Sequence, residues 1–266
     1  MLTTYWELKY NPFAKSAPAD SFPSEDFMQA TARLERLVEM KGIGLFTGLP
    51  GSGKTFTIKH FVDSLNTALF KPIYLPLSTL TVRDFYCALA LGLGITPQFK
   101  KIDLFLSIQE RILNLAKDKR ITTVLILDEA QYLNTKILND LKILMNFDMD
   151  SKNYASVIIS GQPILNNTLS MQAHEALAQR IIINYTFTGL SKQDLHEYIS
   201  TRLKCAGVSV NMFSENAIEA IWSCSGTSPR VVNNLAEKAL LIGAMQKKNL
   251  IDADIIMLAQ SEVSLI

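Results

Sequence analysis

Between Gly44 and Phe61 the sequence reads "GLFTGLPGSGKTFTIKHF", which brings Gly48, Pro50, Gly51, Ser52, Gly53, Lys54 and Thr55 into one short stretch. The spacing is G-x-x-x-x-G-K-[ST], and the chemistry it serves is the grip of a protein on a nucleotide's phosphates. Glycines let successive backbone N–H groups face inward around a β-phosphate, the following helix N-terminus adds partial positive charge, and Lys54 reaches toward the γ-phosphate. Thr55 offers its hydroxyl to Mg²⁺, and Phe56, the next residue, completes the expected nucleotide contact. ATP and Mg²⁺ are therefore the expected cofactors. The alternative is a glycine-rich turn without chemical duty. It fits less well, because the loop falls between an apolar run and a helical pattern.

A second set of groups stands at "TTVLILDEAQ", where a β-branched, apolar run ends in Asp128 and Glu129. Asp128 is placed to hold the magnesium through its water shell, and Glu129 to orient and activate an attacking water. Acidic residues that merely follow a strand into solvent are the plainer reading. A small-molecule kinase commonly lacks such a glutamate, so Glu129 speaks for hydrolysis over metabolic phosphoryl transfer.

These groups need elements to hold them. Ser24 caps a leading helix that stops at Gly42; "IGLFTG" is a short buried strand, and a helix starts at Gly53. Strands follow at 71–77, up to Leu127, at 155–161 and at 181–187, separated by helices over 81–94, 103–120 and 131–147 and a short helical stretch ending "EALAQR". Such alternation argues for an open α/β sheet with parallel strands. After Gly189 four helical patterns succeed one another without a strand, the first opened by a Ser191/Asp194 capping box. The expected organisation is an extended N-terminal arm over 1–23, carrying Pro12, Pro18 and Pro23, an α/β domain over 24–189 and a small helical domain over 190–266.

The bulk numbers narrow the partners. With 266 residues, 48% hydrophobic, the chain can bury a sizeable core, and its formal charge of +1 gives no global field for a polyanion. Cys87, Cys205 and Cys224 are odd in number and lack metal spacing, which predicts buried thiols in a reducing compartment. Neither a signal peptide nor a membrane-spanning run is seen, so the expected location is cytoplasmic, with no membrane contact.

Together "GLPGSGKT", "VLILDEAQ" and the helical end resemble an AAA+ ATPase, over roughly residues 24–262. The resemblance implies a P-loop three-layer sandwich with a parallel five-stranded sheet, followed by an all-α lid. It also implies a polar γ-phosphate sensor at the tip of the strand after the Asp-Glu pair, for which "IISGQ" offers Ser160 or Gln162. An arginine finger before the fifth strand falls on Arg180, whose alternative role is to complement a helix dipole. A second sensor in "GTSPRVVNNLAEKAL" falls on Arg230. If Arg180 is a finger, the active unit is a ring or filament of like subunits.

The aromatic "NPF" arm ahead of the leading helix further resembles the ExeA-like branch, which includes a secretion-pathway ATPase and the TniB, TnsC and IstB kind of transposition regulator. Secretion members are usually longer, with membrane-spanning and cell-wall-binding parts, so the expectation goes to a regulator of DNA transposition. Such a protein assembles on duplex DNA with ATP, without sequence preference, and recruits or stimulates a transposase, hydrolysis driving disassembly. Arg83, Lys100, Lys101 and Lys119 are the candidate phosphate-backbone contacts, a solvated helix face being the alternative. Phe99 could stack on bases; Phe105 fits the core.

Overall fold

The computed structural model describes residues 2–15, 17, 22–76, 81–148, 151–208 and 210–263; Pro18 of the expected arm and Leu77 of the expected second strand lie outside the described residues. The chain groups into two compact units. One comprises Gln29–Leu49 and Lys54–Phe187, the other Met1–Met28, Pro50–Gly53 and Thr188–Ile266.

The first unit is built on five strands, β1 (Ile43–Gly48), β2 (Phe70–Leu75), β3 (Thr122–Leu127), β4 (Ala155–Gly161) and β5 (Ile181–Phe187), in the order β2-β3-β4-β1-β5. All neighbours pair in parallel. β1, β3 and β4 are buried along their whole length, which is why they read as mainly apolar, uncharged runs rather than alternating ones. One face carries Phe46, Val124, Ile126 and Ile158 against Leu34 and Leu37 of α2 (Glu25–Met40) and Ile58 and Phe61 of α3 (Lys54–Ser64). The other carries Leu45, Leu125, Val157 and Ile159 against α4 (Val82–Leu93), α5 (Lys101–Lys117) and α6 (Thr135–Leu144). Each such side chain removed from water contributes about 1.5–3 kcal/mol, so the helices are held by the sheet rather than by their own propensity.

The helix expected over 131–147 is shorter than its apolar pattern. Ala130–Tyr132 form a 3₁₀ turn, Leu133 is extended, and α6 starts only where the Asn134 side chain accepts from the Ile137 N–H. The polar side chain satisfies an orphan donor of the first turn, and that fixes the start. Toward β5 the chain makes two short helices, α7 (Ile164–Leu169) and α8 (Glu175–Ala178), joined by a 3₁₀ turn.

The second unit holds α9 (Lys192–Cys205), α10 (Glu215–Ser225), α11 (Pro229–Met245) and α12 (Ala253–Val263). The Ser191/Asp194 capping box opens α9. Its core includes residues from the start of the chain. Where an extended arm was expected, Leu2–Tyr5 form one helical turn, α1, and Trp6, Leu8 and Phe13 are buried among Leu240, Ala236 and Phe213. The Trp6 indole N–H donates to the Leu240 carbonyl at 2.8 Å and the Asn11 amide to Glu237 Oε1 at 2.8 Å, so the aromatic arm is tied to α11. None of the three cysteines is in a disulfide, and each is half-buried, less enclosed than their isolation in the sequence suggests. Among the described residues no helix is long and apolar enough to cross a membrane.

Candidate functional site

β1 ends at Gly48, and the next residues form the glycine loop that opens α3. Gly51 and Gly53 have φ of +81° and +101°, a backbone region that a side chain disfavours, so the loop's path depends on them. Ser52 is buried, and its Oγ has no hydrogen-bond partner among the described residues. A Cβ built on Gly53 would meet nothing within 4 Å, whereas one on Gly51 would lie 2.6 Å from Ser228 Oγ and 2.9 Å from Arg230 Cβ. Ser228 Oγ also donates to the Gly51 carbonyl at 3.3 Å. Thus Gly51 lies against the first turn of α11, where Pro229 occupies the first helical position and Arg230 is exposed.

Lys54 is only 6% exposed, and its ammonium donates to the carbonyls of Gly48 at 2.8 Å and Leu49 at 3.0 Å. A buried ammonium needs such acceptors. Thr55 Oγ1 donates to Asp128 Oδ2 at 3.0 Å. Phe56, next along α3, is partly exposed.

Asp128 follows β3 directly and is 5% exposed. Its carboxylate accepts from three groups: Thr55 Oγ1 and the Tyr74 hydroxyl, both at 3.0 Å on Oδ2, and the Glu129 N–H at 3.0 Å on Oδ1. Tyr74 comes from β2, the strand paired beside β3, with Tyr74 in register with Ile126. Burial, reinforced by the Asp128 charge, the hydrogen bond to it and the Glu129 charge, pushes the Tyr74 phenol up to about 12. The hydroxyl therefore remains a donor to Asp128 throughout the neutral range.

Glu129 has φ +53° and ψ +37°, the left-handed region, which costs a non-glycine residue on the order of 1 kcal/mol. That backbone turn swings the chain from β3 into the 3₁₀ turn. Gln131, within that turn, donates from Nε2 to Glu129 Oε2 at 2.7 Å. The residue after β4, Gln162, donates its backbone N–H to Gln131 Oε1 at 3.0 Å.

Ser160 is fully buried in β4, in register with Phe46, and its Oγ has no hydrogen-bond partner among the described residues. Gln162 is half-buried just beyond the strand. Arg180 stands at the opposite end of the sheet: Ile181, its neighbour, is beside Ile43, while Phe187 is beside Gly48. At about 3.3 Å per residue this puts roughly 20 Å of strand between Arg180 and its own glycine loop. Its Nη1 donates to the Lys142 carbonyl in the last turn of α6 at 2.8 Å, and it borders a cavity of about 180 Å³ with Ile43, Tyr154 and Ala155.

The four basic candidates in and beside α4 and α5 differ. Lys101 is paired with Asp140 at 2.6 Å, and Arg83 lies over the Phe99 ring and donates to its carbonyl at 3.3 Å. Lys100 and Lys119 are exposed and make no ion pair among the described residues. Phe99 is 86% exposed, and Phe105 packs against the core, as its spacing indicated.

The donor set suits the cofactors the fold implies. A hydroxyl and a carboxylate from Thr55 and Asp128 are hard oxygen ligands, and Mg²⁺ is held by one or two carboxylates with phosphates and water rather than by an all-protein cage. The orphaned Ser52 hydroxyl and the open side of Gly53 suit phosphate oxygens.

The strand order, the loop between β1 and α3, and the Asp-Glu pair after β3 define a P-loop ATPase of the AAA+ build. The chain belongs to the AAA domain family, whose model matches residues 37–169. It is 33% identical over 270 residues to general secretion pathway protein A of Aeromonas hydrophila, an alignment covering 99% of this chain and 49% of that protein. The chain thus spans about half the length of this relative. Among solved structures, Cdc6p from Pyrobaculum aerophilum aligns at a TM-score of 0.71 and 18% identity, covering 96% of this chain and 71% of that one. Drosophila ORC bound to DNA aligns at 0.70 and 19%, covering 98% and 65%. At these identities the likeness is one of fold.

Gln131 and Tyr74 were not foreseen. For Gln131 the signal was its place in "DEAQ", two residues after the expected base. For Tyr74 there was none, because its partner is 54 residues away in sequence.

Proposed function

We propose that the chain hydrolyses ATP as a nucleotide-driven switch that assembles with copies of itself, in a protein-secretion pathway. The observation that carries the chemistry is the meeting of Thr55 and Asp128 at 3.0 Å, with Glu129 directly after Asp128. Lys54, Ser52 and the loop amides from Gly48 to Gly53, with Pro50 shaping the turn and Phe56 behind it, would hold the phosphates. Thr55 and Asp128 would hold Mg²⁺, which supplies charge neutralisation at the phosphoryl group. Glu129 would accept the proton of the attacking water, and Ser160 or Gln162 would read the γ-phosphate.

Two arginines extend this reading. Arg180, roughly 20 Å along the sheet from its own loop, fits action on a neighbouring copy's nucleotide. Arg230, beside Gly51, fits the role of the second sensor that the family resemblance implies. The expected boundaries, 24–189 for the α/β domain and 190–266 for the helical one, remain part of this proposal.

The secretion assignment rests on the identity to general secretion pathway protein A. The length difference that favoured a mobile-element protein carries no weight, since this chain aligns with about half of that relative. The second reading is a regulator of DNA transposition that assembles on duplex DNA and engages a transposase. The exposed Lys100 and Lys119 favour it, and the Lys101–Asp140 pair weakens it. The experiment is to measure phosphate release and sedimentation of the purified protein with ATP, ADP or a slowly hydrolysed analogue, adding duplex DNA or anionic vesicles in separate arms. ATP-dependent assembly stimulated by vesicles alone supports the first reading, and stimulation by DNA alone the second. A species that neither turns over ATP nor changes size removes both.

A further inference from the structure

The carboxylate of Glu129 does not stand alone. Gln131 holds it through one end of its amide and holds the backbone just after β4 through the other. The two ends are assigned by chemistry: the Gln162 N–H can only donate, so it must face the oxygen, which turns Nε2 toward the Glu129 carboxylate, a pure acceptor when ionised. Space for the bridge is left by Gly161, where a Cβ would lie 2.7 Å from Gln131 Oε1 and 3.3 Å from the Gln131 backbone nitrogen. Glu129 itself is in the left-handed region, so its own backbone gives the side chain an unusual exit from the strand.

We propose that Gln131 is a positioning residue, whose amide anchors on the backbone after β4 and aims the Glu129 carboxylate at the water it activates. This rests on the assignment of Glu129 as the base. A carboxylate on a single-bonded side chain samples several rotamers, and fixing one oxygen with a donor at 2.7 Å narrows that set at the cost of a single glutamine. The anchor point adjoins Gln162, one of the two residues expected to read the γ-phosphate. A shift of the backbone there would be passed through the amide to Glu129, so that the base is aligned only when the β4 tip is in its triphosphate position. Tyr74 of β2 gives its hydroxyl to Asp128 instead.

The test compares Gln131→Glu and Gln131→Ala with wild type in steady-state ATP hydrolysis, binding of a fluorescent ATP analogue and thermal unfolding. Gln131→Glu keeps the length and an acceptor for the Gln162 N–H but removes the donor to Glu129. Both variants are expected to lose about tenfold to a hundredfold in kcat, the scale of a modest misalignment, with nucleotide affinity and KM little changed. In the Glu129→Gln background Gln131→Ala should cost nothing more, since there is no base left to aim. Unchanged kcat in Gln131→Glu, or a full additive loss in the double variant, overturns the proposal. Were Glu129→Gln itself to turn over normally while Lys54→Ala does not bind nucleotide, the base assignment and this inference would fall while the site stood.

Discussion

The Thr55 hydroxyl and the Asp128 carboxylate, 73 residues apart in sequence, meet at 3.0 Å because α3 begins directly after the glycine loop and Asp128 directly follows β3. Asp128→Asn replaces an acceptor of three hydrogen bonds with a group that offers one acceptor oxygen and two unwanted donors. ATP turnover is expected to fall by roughly 100-fold or more, the scale of losing one charge-stabilising group. Mg²⁺ dependence of nucleotide binding should weaken in parallel. Phosphate-release assays across a Mg²⁺ titration read both, and wild-type turnover in the variant would remove Asp128 from the metal site.

Tyr74→Phe tests the other donor to the same carboxylate. Removing one hydrogen bond to a charged acceptor should cost about 1 kcal/mol in stability, read by denaturant unfolding. The pH behaviour has a definite sign. The folded phenol is raised to about 12, above its ordinary 10.0, so its contribution is fully present below pH 10 and is lost as pH rises through about 12. An ultraviolet titration should show one fewer late-titrating tyrosine in the variant, and identical titrations would contradict the Tyr74–Asp128 contact.

The two left-handed glycines should not be equivalent. Gly53→Ala pays only the backbone penalty of a side chain at φ +101°, about 1–2 kcal/mol, with open space around the new methyl. Gly51→Ala adds a collision with Ser228 Oγ and Arg230 Cβ. Its melting temperature should therefore drop further, and a Gly51→Ala variant as stable as Gly53→Ala would count against this packing.

Arg180→Ala should abolish turnover and regain part of it when mixed with Lys54→Ala, which lacks a working phosphate loop but keeps its arginine. Arg180→Lys separates the roles, because an ammonium can still serve the α6 carbonyl at Lys142 but not the planar fork of a guanidinium. Recovery in mixtures with Ala, together with a stable but inactive Lys variant, is the expected pair of results. Full activity of Arg180→Lys would leave the arginine with the helix end alone.

Charge reversal at Lys100 and Lys119 is expected to weaken any duplex DNA binding equally across sequences and to flatten its salt dependence. Fluorescence anisotropy at two salt concentrations measures this. Reversal at Lys101 should do less, as its charge is already matched by Asp140.

Much of this molecule was legible in its residues. The buried strands carried no charged residue, and the glycine loop, Asp128 and Glu129 stood at their expected junctions, since those positions are set by local chemistry. What escaped depended on distance in the chain. Tyr74 and Gln131 take their roles from partners just beyond the ends of β3 and β4, and no periodicity records a hydrogen bond to Asp128 or Gln162. The helix over 131–147 was overextended because an apolar rhythm continues through Leu133, while Glu129's left-handed backbone and the Asn134 cap decide where α6 starts. The arm was misjudged for a related reason: its prolines report local stiffness, whereas Trp6 and Phe13 answer to a core more than two hundred residues away.

Trp6 is sealed into the helical unit, and Trp222, the second of the chain's 2 tryptophans, belongs to that unit too. Intrinsic indole emission from the unlabelled protein is thus a private reporter of the helices, silent about the sheet. A red shift of that emission without loss of the sheet's circular dichroism would register the first unit to melt, and clipping the chain before Trp6 should leave the spectrum nearly intact while clipping after Phe13 should not.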